Sequence, residues 1–220
     1  MGTIKKGILG GVSGKIGNVV GGSWKGIDYL RVLPASVSDA KSPLQKTQRN
    51  KFAVVMKFLQ PLTEFIRIGF KGQAIKQTAF NAAMSYNYHN ALTGEYPDIA
   101  IDYANAAVSQ GNLPTAVNPV CASDEAAQVS ISWEANTGQG HAADNDVAMA
   151  VVYNPTLKEA IYVLNAGTRA DATISINLPN NFSGNDVHCY VCFMVLESAL
   201  VGGAKNAISN STYAGSVSVI

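Results

Sequence analysis

Charged side chains are scarce in this chain of 220 residues, at 14%, where soluble domains carry roughly 25%. Gly, Ser, Asn, Thr and Ala fill the gap, which argues for strands and turns over exposed helices. Cysteine is scarcer still, with only Cys121, Cys189 and Cys192. So odd and sparse a count gives no disulfide framework and fits a reducing compartment or plain burial. No run of ~18 apolar residues exists, so no membrane-spanning helix is expected. No secretory leader is expected either: Lys5 and Lys6 precede a stretch that is punctuated by glycine from Gly7 to Gly22 and broken by Lys15. It makes no continuous apolar helix. Gly2 is followed by Lys at position 6, where myristoylation wants Ser or Thr. The expected location is the cytoplasm or a particle assembled there.

What is present is apolar content, 47% of the chain, enough for at least one core. The length allows one large domain or two small ones. The net charge of +1 hides an asymmetry. Residues 1–110 hold thirteen Lys/Arg and six Asp/Glu (+7), and residues 111–220 hold three and nine (−6). A chain divided in this way can bind a polyanion with its front or dock one copy's front on another copy's back. Its two halves can equally pack on each other.

Glycines punctuate residues 1–34, with pairs at 10–11 and 21–22. From Gly17 to Val32 the pattern predicts a hairpin: Asn18-Val19-Val20, a Gly-Gly turn, then Trp24 through Leu33 with a kink at Lys25-Gly26. Such a ribbon has few side chains for a core of its own, and a lone hairpin is marginal in water. A polar linker covers residues 34–42. Ser42-Pro43 then supplies an N-cap and a first-turn proline, and Phe52, Val55, Met56 and Leu59 share a helical face. Pro61 interrupts, Leu62, Phe65 and Ile66 continue, and a third helix is expected from Gln73 to about Tyr88.

From Pro97 the period becomes two. Ile99, Ile101 and Tyr103 alternate with polar neighbours, as do Val129, Ile131 and Trp133. Further strands are expected at 147–153, 159–164, 172–178, 187–196 and 212–220, separated by turn residues such as Asn154-Pro155 and Pro179-Asn180-Asn181. Short strands at this spacing with no helices between them point to a β-sandwich. The order Leu113-Pro114, a strand ending in Trp133, then Tyr190-Val191 resembles an immunoglobulin-like or fibronectin type III module.

Three separated motifs, GKIGNVVGGSWKGIDYLRVLP, SPLQKTQRNKF and ISNSTYAGSV, together resemble a Bacteroidota family, domain of unknown function 6266, over nearly the whole chain. That resemblance implies no particular activity, cofactor or functional residue. Residues 10–52 are also similar to small phage structural proteins.

Motifs that carry chemistry are thin. A P-loop needs Gly six residues before its Lys, but Leu9 stands there relative to Lys15, and Ile16 offers no hydroxyl for Mg²⁺. Cys189-x-x-Cys192 suggests redox or zinc chemistry on a helix, yet on a strand residues three apart face opposite ways. His188 and Cys192 share a face but lie ~13 Å apart at ~3.3 Å per residue. His89, His141 and His188 have no nucleophile signature beside them. Asp144-Asn145-Asp146 offers oxygen ligands suited to Ca²⁺, and equally the ordinary Asx chemistry of loops. Lys5, Lys6, Lys15, Lys25, Arg31, Arg49 and Lys51, with Trp24 and Tyr29 able to stack on bases, could form a nucleic-acid surface. No recognised nucleic-acid motif accompanies them.

The expected fold is α+β, with a basic hairpin and helical segment over 1–95 and an immunoglobulin- or fibronectin-III-like β-sandwich over 96–220. The expected function is non-enzymatic: a structural or assembly subunit that contacts further copies of itself through its front, with no cofactor and no membrane. The contact residues are expected to be Lys15, Val19, Val20, Trp24, Tyr29 and Arg31. The alternative is an intracellular binding module using the basic half, with nucleic acid as first candidate ligand.

Overall fold

The structure is a computed structural model, and it describes residues 2–4, 7, 10–24, 27–36, 41–195 and 208–220. The chain is α+β with antiparallel strand pairs in every sheet. It divides into two compact units, Met1–Ser42 and Pro43–Ile220. The expected boundary near residue 95 is not where the units part.

The first unit is one antiparallel sheet in the order β1 (Thr3–Ile4), β2 (Val12–Ile16), β3 (Val19–Trp24), β4 (Ile27–Val32). The connection from β2 to β3 is the two-residue Gly17-Asn18, with Gly17 at φ +57°. That left-handed start suits a tight hairpin and is free of steric cost only for glycine. The expected Gly-Gly turn is corrected here: Gly21 and Gly22 lie within β3, opposite Leu30 and Tyr29. Their role is close approach. A Cβ on Gly21 would sit 2.1 Å from the Val12 carbonyl oxygen. The expected kink at residues 25–26 lies outside the described residues, as do Lys5 and Lys6.

The second unit opens with three helices, α1 (Pro43–Leu59), α2 (Thr63–Gly69) and α3 (Ala79–Asn90). A 3-10 turn at Gln60–Leu62, carrying Pro61, separates the first two. The buried face of α1 is Val55, Phe58 and Leu59, whereas Phe52 stays half exposed. The third helix starts six residues later than expected, because the Thr78 hydroxyl accepts from the Asn81 N–H (3.1 Å) and caps it. Short strands β5 (Leu92–Thr93) and β6 (Ala100–Ile101) pair as a ribbon, so the alternation read over 99–103 yields only two strand residues.

Seven strands follow: β7 (Val117–Ala122), β8 (Gln128–Glu134), β9 (Val147–Asn154), β10 (Glu159–Thr168), β11 (Thr173–Asn177), β12 (Asp186–Met194) and β13 (Thr212–Ser218). They form two sheets, ordered β10-β9-β12-β13 and β11-β8-β7. Leu196, at the end of the expected 187–196 strand, lies outside the described residues. Strand β7 was not foreseen. It carries Pro119, which cannot donate to a ladder, and Asn118 at φ +46° where the register slips between Val117 and Val120. Proline and a bulge of this kind belong to an edge strand, and β7 is one.

Strand β9 is buried at every position. Its alternate residues serve two cores. Met149, Val151 and Tyr153 pack with Phe58, Leu62, Phe65 and Ile66 of the helical segment. Ala148, Ala150 and Val152 pack with Val129, Ile131 and Trp133 of β8 and Ile174 and Ile176 of β11. The body is therefore three layers: helices, a four-stranded sheet, and a three-stranded sheet. Strands buried on both faces read as continuous apolar runs, which is why VAMAVVY shows no alternation. At ~25 cal/mol per Å² of apolar surface, each of these large side chains contributes roughly 1.5–3 kcal/mol.

A buried cation ties the end of this body together. Arg169 is fully buried. Its Nε donates to Asp146 Oδ2 (2.9 Å) and its two terminal nitrogens to Asn136 Oδ1 (2.7 Å) and the Pro114 carbonyl (2.9 Å). Its guanidinium lies 3.8 Å over the Phe193 ring. Burial opposes its charge and holds its pKa below the usual range, and the Asp146 carboxylate counters that effect. No helix among the described residues is long and apolar enough to cross a membrane.

Candidate interaction surface

The six front residues singled out by sequence fall on three adjacent strands. The pairings Lys15↔Val20 and Val20↔Arg31 put those three side chains in one row across the sheet. Residues directly opposite share a face, as do residues two apart along a strand. Trp24 and Ile27, which pair, and Tyr29 therefore lie on that same face. Five of the six candidates come together: Lys15, Val20, Trp24, Tyr29 and Arg31. Val19 does not. It pairs with Ile16 and Val32 and points to the other side.

The second face carries Ile4, Val12, Ile16, Val19, Leu30 and Val32 with Asp28, through the pairs Ile4↔Val12, Ile16↔Val19 and Val19↔Val32. Sequence reasoning missed most of this face, because a turn at Gly21-Gly22 would have changed which residues stand opposite. The usable signal was Gly17-Asn18, a glycine-led dipeptide between two short apolar runs.

Most described side chains of this sheet are exposed or half-buried. Among the described residues of the unit, Gly21 alone is buried. Val32 is 74% exposed, Ile27 67%, Trp24 63% and Leu30 62%. Strand β4 is exposed along its whole length and forms an edge of its sheet. The Leu33 N–H donates to the Asn18 carbonyl (2.7 Å). The alternation of an antiparallel ladder then turns the amides of Leu30 and Val32 away from β3. A groove of about 410 Å³ runs beside Gly10, Gly11, Val12, Asp28, Tyr29 and Leu30. Chemically this surface offers apolar area, two cations beside two aromatic rings, and unpaired edge amides.

The histidines and cysteines lie elsewhere. His89 meets Tyr88 edge-on on α3, and His141 sits in an exposed loop. His188 on β12 contacts the Tyr213 hydroxyl through Nδ1 (2.8 Å) and stacks on Tyr103 with ring centroids 3.7 Å apart. Partial burial lowers its pKa, and nearby Asp186 works weakly the other way. Burial raises the phenols around it, Tyr153 to about 12 and Tyr190 well above the usual range. Cys189 and Cys192 face opposite cores, the sheet-to-sheet one and the helical one, so they do not form one ligand pair. Burial pushes Cys192 up to about 12. In the 144–146 loop, the Asp146 carboxylate is taken by Arg169 and by the Ala143 N–H. Among the described residues no three His, Cys, Asp or Glu gather as a metal site would need.

No curated protein and no solved structure matches this chain. A family model matches residues 11–215, a span that takes in most of the N-terminal sheet and nearly all of the three-layer body. The chain belongs to that family, the family of unknown function DUF6266.

Proposed function

We propose that this protein is a non-enzymatic assembly subunit whose N-terminal sheet is completed by a second copy of the chain. One observation carries the reading: a four-stranded sheet with apolar side chains on both faces buries, among its described residues, a single glycine. Sheets need a covered face to be stable, and a long exposed edge is a template for pairing with another chain. Charge suits the body of a neighbouring copy as the cover. Residues 1–42 hold six Lys/Arg against two Asp/Glu (+4), and residues 43–220 hold ten against thirteen (−3). Val19, Leu30 and Val32 give the apolar contact, while Lys15 and Arg31, beside Val20, Trp24 and Tyr29, meet acidic groups. A front-on-back contact is heterologous and builds rings or filaments.

The body in this reading is an immunoglobulin-like module of the fibronectin III kind. Its support is the strand order. Counting β7 as first, the first, second and fifth strands share one sheet, and the fourth, third, sixth and seventh share the other. That is a Greek-key exchange between two sheets. Trp133 on the second strand, buried edge-on against Phe193 (5.4 Å), fits the same module.

The row Lys15, Val20, Arg31 beside Trp24 and Tyr29 favours a second reading, single-stranded nucleic acid binding. Sedimentation velocity and heparin chromatography separate the two. Assembly gives large species that vanish in Leu30→Lys/Val32→Lys, and a monomer at high concentration overturns it. Nucleic-acid binding gives steeply salt-dependent retention, lost in Lys15→Glu/Arg31→Glu, and absence of retention at low salt removes it.

A further inference from the structure

Cys121 and Cys189 come from different sheets. Cys121 lies on the edge strand β7, opposite Ile131 of β8. Cys189 lies on β12, between Val152 of β9 and Gly215 of β13. The two meet inside the core between the sheets, where Cys189 is fully buried and Cys121 packs against the same cluster from a half-exposed position.

Gly215 makes the meeting possible. It sits opposite Cys189 at φ +112°, where the register of β12 on β13 shifts. A Cβ there would lie 3.5 Å from the Cys121 sulfur. The missing side chain leaves the Cys121 thiol the space directly beside Cys189, since opposed Cβ positions are ~5 Å apart. Interaction between the two thiols lowers the Cys121 pKa and, together with burial, raises that of Cys189. Cys121 is thus the sulfur that ionises first and the one within reach of solvent. Cys192, three residues from Cys189, is turned into the helical core and takes no part.

We propose that Cys121 and Cys189 form a redox-reactive thiol pair that closes into a disulfide between the two sheets by exchange with a small-molecule disulfide such as oxidised glutathione. In the first step the Cys121 thiolate attacks one glutathione sulfur, forming a mixed disulfide and expelling one glutathione thiolate. In the second, Cys189 loses its proton and attacks the Cys121 sulfur, expelling the other. The two cysteines give up two electrons and two protons in all, and oxidised glutathione takes them as two reduced molecules. The link staples the edge strand β7 to the inner strand β12.

The test is incubation of the full-length protein with oxidised glutathione, followed by alkylation of remaining thiols in denaturant and peptide mass spectrometry. The expected result is a Cys121–Cys189 cross-linked peptide with Cys192 alkylated. The melting temperature should rise by on the order of 5–10 °C, because the link closes a long loop. Cys192→Ala should close the same bond, and Cys189→Ser should stop at a glutathione adduct on Cys121. If Cys189→Ser does not fold, the wild-type peptide map decides alone. Three alkylated thiols, a lasting adduct on wild-type Cys121 with Cys189 free, or a bond involving Cys192 overturns the proposal.

Discussion

The sheet of residues 3–32 and the strands of residues 117–218 use much the same alphabet of Val, Ile, Tyr and Gly, yet they differ in what they bury. In the body, β9 is buried at every position because each of its faces meets another layer. In the N-terminal unit, three successive residues of β3, Gly21, Gly22 and Ser23, are small, and both faces of β4 are exposed. Strand propensity alone sets neither outcome. What decides is whether side-chain volume faces side-chain volume. The glycines of the first sheet permit close strand approach and forfeit that volume.

The widest gap between the two regions is expected in truncations. Phe193→Ala removes a buried ring that packs on Trp133 and lies beneath the Arg169 guanidinium, and it should destabilise the body by about 3–5 kcal/mol in urea unfolding. Arg169→Met leaves the Asp146 carboxylate buried without its cation and should cost about 3 kcal/mol. A loss under about 1 kcal/mol would mean that this end of the body tolerates rearrangement.

A pH series sharpens the picture inside the body. The His188 pKa is depressed by burial below its ordinary value of 6.5. Between the folded and unfolded pKa values the unfolded chain binds more protons, so stability is full above about pH 6.5 and declines as pH falls toward the folded pKa. His188→Gln should flatten that decline in denaturation curves collected across the window. The smallest effect is expected in the first sheet. Leu30→Ala and Val32→Ala, at concentrations too low for assembly, should each change stability by no more than about 0.5 kcal/mol. Losses as large as those in the body would erase the comparison.

How far the sequence could be read follows the same physical line. The strands at 128–134, 147–154 and 186–194 were legible because burial leaves an apolar pattern in order. Helix α1 was legible through Ser42-Pro43, but its buried face is rotated to include Phe58 and leave out Phe52. The helices' membership of the body was hidden, since the layer they cover is built from residues some ninety positions away. Arg169 looked like one of three stray cations in an acidic half. Only folding brings Pro114, Asn136 and Asp146 around it. Of the candidate surface, residue types were readable and the register was not. Reading Gly21-Gly22 as a turn instead of Gly17-Asn18 leaves Val19 among the wrong neighbours and hides the apolar face.

Amide hydrogen exchange of residues 12–24 and 27–32, followed over a range of protein concentration, tests the central claim most directly. If a second copy covers this sheet, the outward amides of Leu30 and Val32 and the ladder behind them gain protection as concentration rises, and Leu30→Lys/Val32→Lys abolishes the gain. Protection that is the same at every concentration would contradict the account.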